Sequence, residues 1–162
     1  MAITNGYSTL AELKAALTIS DATDDVALEA AINATSRMID DYTGRFFYPD
    51  GTSQAPVARY YTALDPWTMN VDDITVITEI ATDDNFNQTW DTVWSTSDFM
   101  VEPINNPRRG WPFTRILAIG RYVWPYYLPQ ACKITGVWGW SAVPYEVQSA
   151  CLIQSSRIFV RR

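Results

Sequence analysis

The chain contains no histidine among its 162 residues. That removes the commonest general base and the commonest metal ligand together, and with them most hydrolase triads. What remains for catalysis is carboxylate. Asp72, Asp73, Asp83, Asp84, Asp91, Asp98 and Glu102 fall close together in the sequence, and two well-placed acids are what a glycosidase uses. Their spacing selects no pair, because neighbouring acids on a strand point to opposite faces. The reading is therefore not an enzyme, and a two-carboxylate hydrolase ranks third among the functions considered. The run Asp83-Asp84-Asn85-Phe86-Asn87-Gln88 offers oxygen ligands in the manner of a calcium loop. It lacks the glycine and closing glutamate of such a loop, and an Asx-rich turn explains it with fewer requirements. Cys132 and Cys151 are too few for a disulfide scaffold or a zinc cluster and read as buried thiols. No catalytic residue, metal site or cofactor is expected.

From Trp111 to Trp140 the chain is dense in tryptophan and tyrosine, interleaved with Arg115, Arg121 and Lys133. Such rings can stack on bases or sugars, or pack a core and a subunit interface. The net charge of -6 opposes free nucleic-acid binding and favours the packing role.

The elements that position these residues divide the chain in three. Thr9-Leu10-Ala11-Glu12 has capping-box spacing and opens a short amphipathic helix with Leu10, Leu13 and Leu17. A second, longer helix is predicted from about Thr23, with Asp24 and Asp25 in its first turn, where the helix dipole favours negative charge. Its stripe of Leu28, Ala31, Ile32, Thr35, Met38, Ile39 and Tyr42 holds helical spacing until Gly44 supplies a left-handed stop, and is expected to pack on the first and last helices. From Arg45 to about Trp140, proline, aromatic and β-branched residues dominate. Strands are predicted near Val57–Tyr61, Ile74–Ile80, Thr89–Trp94, Phe99–Val101, Thr114–Ile119 and Ala131–Trp138. The runs ATDDNFNQT, EPINNPRRGWP and WPYYLPQ read as the loops between them. Val143-Pro144 then introduces a terminal helix that runs without a breaker to Arg162. The fold class is α+β: a small antiparallel helical core of two N-terminal helices and the C-terminal helix, with an inserted β-rich region. It reads as a single domain over 1–162, helical over 1–44, strand and loop over 45–140, and helical again over 144–162.

Charge is distributed unevenly. Residues 1–50 carry eight acids and three bases, residues 51–106 nine acids and one base, and residues 107–162 one acid and eight bases. The acidic front and basic end either neutralise one another within one fold or meet across subunits and partners. The start, MAITNGYSTLAELK, lacks the basic and apolar regions of a signal peptide, and no apolar run has the length of a membrane span. A protein made in a cytoplasm, with no membrane partner, is expected.

The terminal helix is apolar on every side: Val147, Cys151 and Ile158 share one sector, Leu152 and Phe159 the next, and Ile153 with Val160 the remainder. Apolarity all round indicates burial on several sides, in a core or against other chains. Val147, Cys151 and Ile158 are expected to face the long second helix. That leaves Leu152, Arg157, Phe159, Arg161 and Arg162 for a neighbouring subunit or another partner.

Three stretches in this order resemble the head-to-tail connector, or adaptor, proteins of long-tailed bacteriophages. They are TLAELKAAL with DDVALEAAINATSRMIDDYTGRFF, then TSDFMVEPINNPRRGWPFTRI, then ITGVWGWSAVPYEVQSACLIQSSRIFVRR with its Gly-Trp-x-x-Val-Pro lead into a basic helix. The resemblance implies a non-catalytic virion protein at the head-tail interface, assembled in the host cytoplasm. It implies a homo-oligomeric ring, of twelve subunits, beneath the portal protein. The ring would extend the channel through which genomic DNA passes without sequence-specific binding, and would present a surface to a tail-side connector or stopper protein. On this reading Leu152, Arg157, Phe159, Arg161 and Arg162 contact portal or subunit, and Asp72, Asp73, Asp83 and Asp84 serve ring, channel or tail-side contacts. Any longer portal-inserting arm beyond Arg162 is in doubt. The alternative function is a carbohydrate-binding β-rich module of a phage or cell surface, suggested by the tryptophan and tyrosine content.

Overall fold

The computed structural model describes residues 2–49, 55–105 and 110–161, and these form two compact units. One joins the N-terminal 48 residues to the segment from Ala142 onward; the other is Pro49–Ser141. Among the described residues the architecture is α+β, three helices with a six-stranded antiparallel sheet. Among the described residues no helix is long and apolar enough to cross a membrane.

In the helical unit, α1 spans Leu10–Leu17 and carries the complete capping box: the Thr9 hydroxyl accepts from the Glu12 N–H, and the Glu12 carboxylate accepts from the Thr9 N–H. Helix α2 spans Asp25–Thr43, with Asp24 at its N-cap, one residue later than the sequence suggests. It stops where Gly44 adopts the left-handed conformation, φ 66°, which costs glycine little because it has no Cβ. Helix α3 spans Tyr145–Val160 and runs antiparallel to α2, so that Ser155 lies against Ala31 while Glu146 and Val147 lie near Tyr42 and Thr43. Pro144 occupies its N-cap in extended conformation rather than the first helical position.

The stripe on α2 is only half a core stripe. Leu28, Ala31, Ile32 and Thr35 are buried, but Met38 and Tyr42 are exposed, and the buried line turns instead through Ser36 to Asp40. Polar partners cause the turn. The Tyr7 hydroxyl donates to the Asp40 carboxylate and accepts from the Phe47 N–H, and the Arg37 guanidinium pairs with Asp40 at 2.7 Å. A buried carboxylate so partnered is tolerated in a core, and the apolar residues beside it are released to the surface.

In the β unit the strand order is β1-β6-β2-β5-β4, with β3 attached to β2. The ranges are β1 Val57–Tyr61, β2 Thr68–Thr82, β3 Thr92–Val93, β4 Phe99–Glu102, β5 Phe113–Ala118 and β6 Cys132–Trp138. The long β2 pairs with β5 through its first half and β6 through its second, changing neighbours at Ile74. It begins well before the predicted Ile74, because Asp72 and Asp73 disguise a strand by finding partners across the sheet. Strand β3 is much shorter than predicted, since turn hydrogen bonds hold residues 87–89. On β6, Cys132, Ile134, Gly136 and Trp138 point inward in strict alternation. A Cβ on Gly136 would stand 2.2 Å from the Val76 carbonyl oxygen, so β2 approaches β6 there as only glycine allows. The core beneath contains Met69, Ile74, Ile80, Ile116 and Ile134 around stacked Trp94 and Trp124, whose rings lie 4.3 Å apart.

Candidate functional site

No cluster of histidine, cysteine or acidic side chains suited to a metal occurs among the described residues. The features that can act are surfaces, and each unit carries its own.

On the helical unit the contact of α3 with α2 is narrower than its composition suggests. Cys151 and Ser155 are its buried residues. The Cys151 Sγ lies 3.7 Å from the Ser36 Oγ and 3.4 Å from the Ser8 Oγ, and the Ser155 hydroxyl donates to the Ala31 carbonyl at 3.5 Å. Small side chains at i and i+4 let the helices approach, so a serine does what the sequence reading assigned to Val147 and Ile158. Cys151 takes its expected place; Val147 and Ile158 are only half-buried. Leu152 and Phe159 are half-buried too, while Ile153, Arg157, Val160 and Arg161 are exposed. Arg162 lies outside the described residues.

Between the C-terminal half of α2 and the N-terminal half of α3 an open groove of about 420 Å³ remains. Met38, Ile39, Tyr42, Phe47, Val147 and Ala150 make it almost wholly apolar. Tyr42, at its edge, is 92% exposed. The lower half of the predicted stripe and the apolar start of the terminal helix thus meet in a surface that the chain itself leaves uncovered. Sequence periodicity located these residues but assigned them to the core, because period alone does not distinguish a buried stripe from a docking stripe.

On the β unit the four singled-out acids are brought into no common site. Asp72 is exposed; it pairs with Arg59 at 2.6 Å and accepts from the Tyr61 hydroxyl at 2.8 Å. Burial and that hydrogen bond push the Tyr61 phenol well above its ordinary range. Asp73, on the other face of the same strand, accepts from the Trp140 indole N–H at 2.8 Å. Asp83 is 3% exposed and accepts from the backbone N–H of Asn87 and Gln88, which fastens the loop before β3. Asp84 is exposed and accepts from the Thr92 hydroxyl at 2.6 Å. The segment that resembles a calcium loop therefore uses its buried carboxylate on its own backbone as an Asx-type turn. Burial also pushes the Cys132 thiol up to about 12, so it is an inert core group.

The tryptophan-rich stretch divides similarly. Trp124, Trp138 and Trp140 are buried, whereas Trp111, Tyr126 and Tyr127 are exposed. Tyr126 and Tyr127 belong to a loop tied to the one carrying Leu64 and Trp67: the Trp124 N–H donates to the Pro66 carbonyl and the Tyr127 N–H to the Ala63 carbonyl. Leu64, Trp67, Tyr126 and Tyr127 are all exposed on these joined loops. The loop EPINNPRRGWP falls partly outside the described residues, at 106–109.

Comparison with known proteins agrees with this architecture. A family model described as phage gp6-like head-tail connector protein matches residues 7–65, which span α1, α2 and β1. No curated protein matches the chain. Among solved structures, a chain in the neck of an empty GTA particle, computed with C6 symmetry, superposes with a TM-score of 0.62 at 17% identity, covering 99% of this chain and 81% of that one. The chain therefore resembles the phage gp6-like head-tail connector family over residues 7–65, and it shares the fold of the GTA neck chain over nearly its whole length.

Proposed function

We propose that the chain forms a homo-oligomeric ring beneath the portal vertex of a phage head, joins the head to the tail and extends the DNA channel. The observation that carries this reading is the helical unit, in which α1 and α2 lie within the matched residues and which leaves an apolar groove between α2 and α3 and an exposed helix end bearing Arg157 and Arg161 rather than a closed surface. An isolated monomer gains nothing from such exposure; an assembly subunit needs it. Leu152, Arg157, Phe159, Arg161 and Arg162 contact the portal or an adjacent copy. The ring has twelve subunits by the resemblance. The β unit supplies ring, channel or tail-side contacts, with Asp72 and Asp84 at its surface and Asp83 bracing the loop that presents Asp84. Acidic groups along the channel repel phosphate and let the duplex slide past without binding. No catalysis is involved. The test is to mix purified chain with purified portal oligomer and measure particle size: a ring-sized addition to the portal is expected, and continued separate migration at low salt refutes the proposal.

A second reading rests on the exposed rings of Trp67, Tyr126 and Tyr127, which suit a carbohydrate surface. It requires a glycan-induced change in tryptophan fluorescence from a monomeric protein.

A further inference from the structure

We propose that Asn5 is a modification site: its side-chain amide cyclises onto the backbone nitrogen of Gly6 with loss of ammonia, and the isoaspartate that water then forms lengthens the N-terminal strap and loosens the helical unit. This does not depend on the connector reading.

Residues 2–8 form a strap tied to α2 on both sides of Asn5 and Gly6. On the near side the Asn33 amide oxygen accepts from the Thr4 N–H at 3.0 Å, and the Asn33 amide nitrogen donates to the Ala2 carbonyl at 3.1 Å. On the far side the Tyr7 N–H donates to the Ser36 hydroxyl at 3.0 Å, the Tyr7 hydroxyl donates to the buried Asp40, and the Ser8 hydroxyl lies against the Cys151 thiol of α3. Between these anchors Arg37 donates to the Asn5 carbonyl at 3.0 Å.

Of the seven asparagines in the chain only Asn5 precedes a glycine. Packing keeps the glycine there, because a Cβ on Gly6 would stand 2.3 Å from a methyl of Ile3 and 3.2 Å from a methyl of Ile32. With no side chain beside it, that backbone nitrogen is open to close approach. Asn5 is exposed, in a left-handed conformation with φ 48°. Neither its side-chain amide nor the Gly6 N–H makes a hydrogen bond among the described residues. The side-chain amides of Asn33 and Asn87, in contrast, are engaged. Electrophile and nucleophile are thus adjacent and unengaged at Asn5-Gly6.

In the reaction the Gly6 nitrogen loses its proton to solvent and attacks Cγ of Asn5. The new C–N bond closes a succinimide ring, and the side-chain nitrogen takes up a proton and leaves as ammonia. Water then opens the ring at either carbonyl, with nothing oxidised or reduced. Opening at Cγ gives aspartate in an unchanged backbone. Opening at the α-carbonyl, made more electrophilic by the amide nitrogen on Cα, gives isoaspartate, whose backbone runs through the side chain and is one methylene longer. That methylene falls between Thr4 and Tyr7, whose partners Asn33 and Ser36 are held at fixed spacing by one helix. The lengthened strap cannot keep both anchors and the Arg37 bond. Aspartate adds a charge but no length, so only isoaspartate loosens the strap.

The test is to hold purified protein at mildly alkaline pH and digest samples with trypsin. The peptide ending at Lys14 contains Asn5 as its only asparagine. Its amide should convert to acid ahead of every other asparagine, as two separable isomers with isoaspartate the major one. In step with isoaspartate, the thermal midpoint of the helices, followed by circular dichroism, should fall by about 2–4 °C, the shift that losing one hydrogen-bonded anchor gives in a chain of this size. Freshly prepared Asn5→Asp should have the midpoint of fresh wild type. Asn5→Gly, which suits the left-handed backbone and carries no amide, should hold its midpoint through the same incubation. An Asn5 that keeps its amide while other asparagines convert overturns the proposal. So does conversion to isoaspartate without a fall in midpoint, or an equal fall in Asn5→Gly.

Discussion

Replacing Ile32 and Tyr42 by alanine in separate proteins distinguishes the two halves of the α2 stripe. Both lie on the apolar face of one helix, ten residues apart, and from the sequence they look equivalent. In the structure Ile32 is fully buried and Tyr42 is 92% exposed. Ile32→Ala removes methyl and methylene groups from a packed site and should cost about 2–5 kcal/mol, the transfer of those groups plus the cavity they leave. Tyr42→Ala exposes no new core and should stay within about 0.5 kcal/mol of wild type. The assay is urea unfolding followed by circular dichroism of the helices. Tryptophan fluorescence provides an independent channel, since all seven tryptophans lie in the β unit. The exposed residue is expected to matter in assembly instead: Tyr42→Ala should weaken self-association while leaving unfolding unchanged. An Ile32→Ala cost below about 0.5 kcal/mol, or a Tyr42→Ala cost matching it, refutes the division of the stripe into core and docking halves.

Asp83→Ala should destabilise the β unit by about 1–3 kcal/mol, because the N–H groups of Asn87 and Gln88 lose their acceptor, whereas Asp72→Ala, at an exposed pair, should cost under about 1 kcal/mol; denaturation followed by tryptophan fluorescence compares them. Gly136→Ala should cost about 3 kcal/mol or prevent folding of the sheet, since its Cβ meets the Val76 carbonyl oxygen; soluble yield and fluorescence read this. Stability should also fall in alkali. Cys132, Tyr61 and Tyr7 all hold their protons more tightly when folded, chiefly through burial, so their contribution is complete below the ordinary values of 9.0 for the thiol and 10.0 for the phenols. It is lost as pH rises beyond them, and a stability curve flat from pH 9 to 11 contradicts this.

The helices were legible because their signals are local. A capping box, a left-handed glycine and a valine-proline step each act within a few residues, and all three stand where the sequence places them, to within one residue. The α+β class followed from the break in helical period after Gly44. Strands whose pairing relies on distant polar partners were less legible. Asp72 is held by Arg59 and Tyr61 and Asp73 by Trp140, so the first half of β2 reads as loop until those contacts are known. The shortening of β3 has the same origin, because the side chain of Asp83 holds the backbone five residues on. The α3 seam escaped for a different reason. Ser155 is buried for its size, and hydrophobicity patterns do not register size. Neither do they show what an apolar residue covers, which is why Met38 and Tyr42 were read as core.

The central claim is tested most directly by removing the chain from particle assembly and imaging the products by electron cryomicroscopy. The account predicts portal-bearing heads that carry no tail, and restoration of both tails and a ring of density beneath the portal when the chain is supplied. Tailed, infectious particles formed without the chain would contradict it.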